Sequence, residues 1–222
     1  MTDAHDPERG LILIYAPRRG RAALAALLAL DDALAQLLRS TTQPAVAQLR
    51  LAWWREALAR LDTQPPPAEP VLQGLAAEVL PLGIAGASLV PIVHGWEVLI
   101  EEEALDEAAL RRFGEGRGSL FEVADKVLDV DLRDPLAEAG FGWALADLAR
   151  NLDIVEEAAR ARALAAPALE AAARHKWSRG GRALGALAHR ARLDLALEPG
   201  APVPAGAPRR VMRLFWHRLT GQ

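Results

Sequence analysis

The 222-residue sequence contains no cysteine, and only 5% of its residues are aromatic, with a single tyrosine. The absence of cysteine excludes both a disulfide scaffold and a thiolate metal site. No apolar run reaches the ~20 residues that a membrane-spanning helix needs. Basic and acidic residues nearly balance, 26 against 29, which gives no general case for nucleic-acid binding. The polar start of the chain shows no secretory signal, so we expect a cytoplasmic location.

Alanine and leucine dominate the composition, whereas the β-branched and aromatic residues that favour strands are scarce. A hydrophobic content of 51% and a net charge of −3 argue against disorder. We therefore predict an all-α fold, an antiparallel bundle of about seven helices plus a C-terminal helix, with several helices beginning at a proline. The expected helices are 21–39, 44–61, 71–80, 88–102, 107–129 with an interruption at 114–118, 135–162, 167–197 and 209–219.

The chain divides by composition into three parts. We predict a helical domain over residues 1–197, a Pro/Gly/Ala linker over 198–208 and a basic amphipathic C-terminal helix over 209–222. Within the domain, the Gly-x-Gly-x-Gly run at 114–118 lacks the preceding strand that a dinucleotide-binding loop requires. We expect these glycines to break or kink their helix so that another helix can pack closely against it.

An aspartate lies among leucines on the first long helix. At 100° per residue, Asp31 shares the apolar face, while Asp32 lies nearer its edge. Because a carboxylate is rarely buried alone, Asp31 either binds a cation or a polar ligand, or pairs with an arginine of a neighbouring helix. Arg50, one turn before Trp54 on the next helix, is one such arginine, and its guanidinium also suits a ligand pocket.

Five segments, in order, resemble the squalene/phytoene synthase superfamily. The most specific is Leu-Arg-Leu-Ala-Trp-Trp-Arg at 49–55, and the resemblance extends over about residues 11–192. The segments are 30–37, 43–58, 93–100, 111–121 and 140–151. The resemblance implies an isoprenoid-synthase type of helical bundle with a central apolar cavity, and a prenyl diphosphate or another lipid-like molecule as ligand.

In catalytic members of this superfamily, two aspartate-rich helices face each other and hold the magnesium ions that grip a prenyl diphosphate. The resemblance places Asp31 and Asp32 in the first motif, as the candidate metal ligands, and Asp147, Arg150 and Asn151 in or beside the second. The candidate cavity-lining residues are Arg50, Trp54, His94, Trp96 and Trp143. No cofactor is expected unless the protein is catalytic, in which case it would be magnesium.

The remaining acids of the two motifs are missing. Ala35 and Val155 stand four residues after Asp31 and Asn151, and Leu99 replaces an acid of the middle helix. This pattern resembles the noncatalytic branch of the superfamily, which includes a mitochondrial complex I assembly factor. It implies a protein that acts by binding rather than by catalysis, either in respiratory complex assembly or in isoprenoid or lipid handling. The alternative is a magnesium-dependent prenyl transferase that condenses farnesyl or geranylgeranyl diphosphate.

The C-terminal helix carries four arginines and no acid. One face of the helix is apolar, with Arg209, Arg210, Arg213 and His217 opposite; the apolar residues are Val211, Met212, Leu214, Phe215, Trp216 and Leu219. Such a helix packs back on its own bundle, lies on an anionic membrane surface, or docks on a protein partner. The membrane alternative would place the protein at the periphery of the inner membrane.

Overall fold

The computed structural model describes residues 7–222, in which every regular element is a helix and no strand occurs. The all-α prediction is therefore confirmed. Eleven α-helices occur in this range: α1 Pro7–Tyr15, α2 Arg21–Ser40, α3 Pro44–Arg60, α4 Pro70–Glu78, α5 Val90–Glu101, α6 Glu107–Gly118, α7 Leu120–Leu128, α8 Leu136–Asn151, α9 Val155–Arg174, α10 Arg182–Leu195 and α11 Pro208–Thr220. Short 3-10 helices at Leu80–Leu82 and Gly86–Leu89 connect α4 to α5.

Helix α8 lies at the centre of the bundle and packs against α6, α7, α9 and α10, while α2 packs against α4, α5 and α7. The leucine spacing of α2 explains its orientation, because Leu24, Leu27 and Leu34 are fully buried. Each such leucine contributes about 1.5–3 kcal/mol when it leaves water. Burial of this stripe also carries Asp31 into the core, where its exposed fraction is only 3%.

Glycines let α5 and α8 approach α6 closely, at the run that the sequence indicated. A Cβ atom on Gly116 would lie 2.6 Å from the Cα atom of Gly95 in α5. A Cβ atom on Gly118 would lie 2.7 Å from the carbonyl carbon of Gly140 in α8. Arg117 is the one residue between these two glycines, so the close packing places its side chain between α5 and α8. The break between α6 and α7 falls at Ser119, directly after the run.

The predicted helices 135–162 and 167–197 are wrong in their boundaries. Helix α8 ends at Asn151, Leu152 is extended, and α9 then runs through Pro167 to Arg174. Pro167 lies inside α9 and does not start a helix. Because proline has no N–H, the carbonyl of Ala163 loses its helical donor. Both residues lie on the exposed side of the helix, where water can donate to that carbonyl instead. Helix α1 was not predicted, and α10 begins only at Arg182.

In residues 7–222, no single helix is both long and apolar enough to cross a membrane. One bent pair, Pro70–Leu82 with Gly86–Glu101, meets that test by length and composition only.

Candidate functional site

The centre of the candidate site is an arginine held between two aspartates. Arg117 is 4% exposed, and its Nε and Nη2 atoms donate to the two carboxylate oxygens of Asp31 at 2.8 and 2.7 Å. Its Nη1 atom donates to Oδ2 of Asp147 at 2.6 Å. The guanidinium therefore joins α2 to α8, the two helices that carry the aspartates of the two resemblance motifs.

Two indole rings enclose this guanidinium. The Cζ atom of Arg117 lies 4.5 Å from the ring centroid of Trp96 in α5 and 4.5 Å from that of Trp143 in α8. The Nε1 atom of Trp96 also donates to Oδ1 of Asp31 at 3.0 Å. Cation–π contacts of this kind strengthen when water is excluded, so the two rings hold the arginine in one position.

The charges around Arg117 keep it protonated. Burial by itself lowers its pKa, but the charges and hydrogen bonds of Asp31 and Asp147 outweigh burial and raise the pKa well above its usual value. A permanent positive charge therefore lies between the two carboxylates. Asp31 is as buried as its partner, whereas the Asp147 side chain is 48% exposed and faces a cleft.

Two clefts open on either side of this ion pair, so the central cavity that the resemblance implies is divided here. The polar cleft, of about 380 Å³, contains four arginines and four aspartates, so its formal charges cancel. Those residues are Arg9, Arg117, Arg150, Arg190, Asp31, Asp32, Asp147 and Asp194. The leucine cleft, of about 460 Å³, is lined by Ala35, Leu38, Leu99, Leu105, Leu148 and Leu152, with one arginine besides Arg117, an aspartate, an asparagine and three glutamates.

The polar cleft brings together all five of the predicted diphosphate-site residues. Asp31 and Asp147 meet at Arg117, as described above. Asp32 is paired with Arg9 of α1, with nitrogen–oxygen distances of 2.9 and 2.6 Å. Arg150 donates to the carbonyl oxygens of Asp194 and Ala201, and Asn151 donates to the carbonyl of Asp147 at 2.7 Å.

Of the five candidate cavity-lining residues, two line a cleft and three do not. Trp143 lines the polar cleft and Trp96 the leucine cleft. Trp54 is buried in the core, where it packs edge to face with its neighbour in the sequence. Arg50 and His94 line neither of these two clefts and are exposed on the outward faces of α3 and α5.

Arg50 also cannot be the partner of Asp31, since its guanidinium is exposed and donates to Thr41. The partner is Arg117, 86 residues from Asp31 in the chain, which the sequence analysis did not select. Its one local signal is its place between Gly116 and Gly118, two glycines that serve close helix packing.

The residues present do not fit a magnesium cluster. Magnesium requires an octahedron of oxygen ligands, yet both Asp31 oxygens already accept hydrogen bonds, and Arg117 would repel a divalent ion. Val155, where a second acid of the α8 motif would stand, begins α9, so a carboxylate there would not share the face of Asp147. Among residues 7–222, no three His, Asp or Glu side chains are grouped so as to hold a metal.

Comparison with known families identifies the class of protein. The squalene/phytoene synthase family model matches residues 2–123, which is more than half of the chain and extends from the N-terminal region into α7. The chain therefore belongs to the squalene/phytoene synthase family, and its all-helical architecture agrees with that assignment. Searches of curated proteins and of solved structures give no match.

Proposed function

We propose that this protein is a noncatalytic member of the squalene/phytoene synthase family and acts by binding. The observation that carries the proposal is the position of Arg117, whose guanidinium joins an aspartate of α2 to an aspartate of α8 at 2.6–2.8 Å. In the catalytic mechanism that the resemblance implies, magnesium ions hold carboxylates of these two helices. Here a tethered cation bridges the two carboxylates in place of a metal.

The polar cleft is also poorly charged for diphosphate chemistry. A prenyl diphosphate carries several negative charges, and its departure needs an excess of positive charge at the leaving group. The four arginines of the polar cleft are matched by four aspartates. All four arginines are held by internal groups: Arg9, Arg117 and Arg190 by carboxylates, and Arg150 by backbone carbonyls. A diphosphate would therefore have to break internal bonds before it could be bound.

The leucine cleft favours lipid handling over the other binding role, respiratory complex assembly. Ala35 and Leu99, which stand where the superfamily has acids, both line this cleft. Their apolar side chains remove charge from a pocket of about 460 Å³, which is a size typical of small-ligand sites. Its leucines offer an apolar surface to an isoprenoid or another lipid chain, and its four acids, against two arginines, disfavour a diphosphate.

Isothermal titration calorimetry tests this proposal. Farnesyl diphosphate and geranylgeranyl diphosphate are titrated into the protein with magnesium or with a chelator, and farnesol is the matched ligand without a charged group. We expect that magnesium does not tighten binding of either diphosphate and that farnesol binds at least as well as farnesyl diphosphate. Magnesium-dependent binding of the diphosphates would contradict the proposal.

A further inference from the structure

Helix α11 packs on the bundle with its polar side inward and its apolar side outward. Arg210, Leu214 and His217 are buried against the bundle, with exposed fractions of 5%, 0% and 0%. Five apolar residues of the same helix face solvent, with exposed fractions of 37–65%: Val211, Met212, Phe215, Trp216 and Leu219. We call these five residues the outer face of α11.

Buried ion pairs fix this orientation. Arg210 donates to both carboxylate oxygens of Glu8 in α1, at 2.7 and 2.8 Å, and also pairs with Asp194 of α10 at 2.7 Å. His217 donates from Nε2 to the carbonyl oxygen of Arg182 at 3.0 Å. Turning the helix to bury its apolar side would leave the Glu8 carboxylate, which is 1% exposed, without Arg210. The bundle therefore holds the apolar side in contact with water.

Arginines border the outer face on both sides. At 100° per residue the face spans about 140° of the helix, from Val211 round to Trp216. Arg218 lies next to Val211 at one border and Arg209 next to Trp216 at the other, and the helix contains no acid. Arg218 also donates to the backbone carbonyl oxygen of Ile14 in α1, whose side chain is exposed.

We propose that the outer face of α11 docks on an anionic lipid surface. The helix would lie in the plane of the membrane interface, with its apolar side chains among the acyl chains and the bordering arginines at the headgroups. A second copy of this chain is disfavoured as the occupant, because two such faces would bring arginines together with no acid from either helix. The charge of the borders instead complements anionic headgroups.

Vesicle flotation tests the proposal. The full chain is mixed with vesicles of phosphatidylcholine alone or of phosphatidylcholine with phosphatidylglycerol. We expect the protein to float with the mixed vesicles, to bind phosphatidylcholine vesicles much less, and to be released by high salt. Arg209→Gln should weaken binding to the mixed vesicles about fivefold, since each interfacial arginine is worth about 1 kcal/mol at an anionic surface.

The double variant Phe215→Ser/Trp216→Ser should lose binding more than tenfold, because two large apolar side chains no longer enter the lipid. Its thermal midpoint should stay near that of the unaltered protein, since both side chains are half-exposed. The matched control is Leu49→Ser/Leu132→Ser, which removes two exposed apolar residues elsewhere and should leave flotation unchanged.

Three outcomes would overturn the proposal. One is absence of the unaltered protein from the floating fraction at low salt. Another is equal flotation of the Phe215/Trp216 variant. The third is a dimer of the unaltered protein that this variant converts to a monomer, which would assign the outer face to a second copy. If the double variant is destabilised, the Arg209→Gln variant tests the proposal on its own, because the Arg209 side chain is exposed and its loss should leave the fold intact.

Discussion

Replacing Arg117 by methionine should destabilise the protein strongly. The substitution keeps a long side chain between Trp96 and Trp143 but removes the charge that faces Asp31 and Asp147. Removing one partner of a buried ion pair costs about 3–5 kcal/mol, because the remaining charge is left buried and unpaired. In a chain of this length, that loss lowers the thermal midpoint by about 6–20 °C.

Urea unfolding followed by circular dichroism measures the effect, and two further variants make it specific. Arg111→Met on the same helix removes an exposed arginine paired with Glu107 and should cost about 0.3–0.5 kcal/mol. Asp31→Asn should cost less in the Arg117→Met background than in the unaltered protein, because the buried charge is then already unpaired. A loss below 1 kcal/mol for Arg117→Met, or strict additivity with Asp31→Asn, would refute the account of the ion pair.

Three other predictions follow from the same structure. Millimolar magnesium or manganese, at constant ionic strength, should raise the thermal midpoint of the Arg117→Met variant and leave that of the unaltered protein unchanged. A rise in the unaltered protein would contradict the conclusion that its residues do not fit a metal. Burial lowers the pKa of His189 to about 3 and that of His217 to about 4. Since both protonate near pH 6.5 when unfolded, the unfolded chain binds more protons, and stability should fall by about 2 kcal/mol per histidine between pH 7.5 and pH 5. His217→Gln should flatten that pH dependence, and an unchanged slope would argue against it. Gly116→Ala should cost about 1–3 kcal/mol of stability, because its Cβ atom would meet the α5 backbone. Gly74→Ala, whose Cβ atom would have no atom within 4 Å, should stabilise the protein by about 0.5–1 kcal/mol. Equal effects of the two substitutions in urea unfolding would contradict the account of helix packing at Gly116.

Local pattern was enough to predict the features that depend on helical periodicity. The leucine stripe of α2 indicated that Asp31 points inward, and the structure places it in the core. The glycine run at 114–118 indicated close packing, and it is the contact point of α5, α6 and α8. Periodicity also found the two faces of α11, but it left open which of them meets the bundle.

Features that depend on distant contacts were missed. Arg117 pairs with an aspartate 86 residues away, and nothing in its local sequence identifies that partner. The side of α11 that is buried is set by Glu8, 202 residues before Arg210. Likewise, α9 continues through Pro167, where propensity alone predicts a helix start, because tertiary packing of the surrounding turns outweighs one lost hydrogen bond.

The release of diphosphate from farnesyl or geranylgeranyl diphosphate by the unaltered protein, with magnesium present, tests the central claim most directly. Because Arg117 occupies the space between the carboxylates of α2 and α8, the account predicts no release above the rate without protein. The Asp31→Asn variant is the control, and it should behave identically. Magnesium-dependent release that Asp31→Asn abolishes would show that these carboxylates do hold metal, and it would contradict the account.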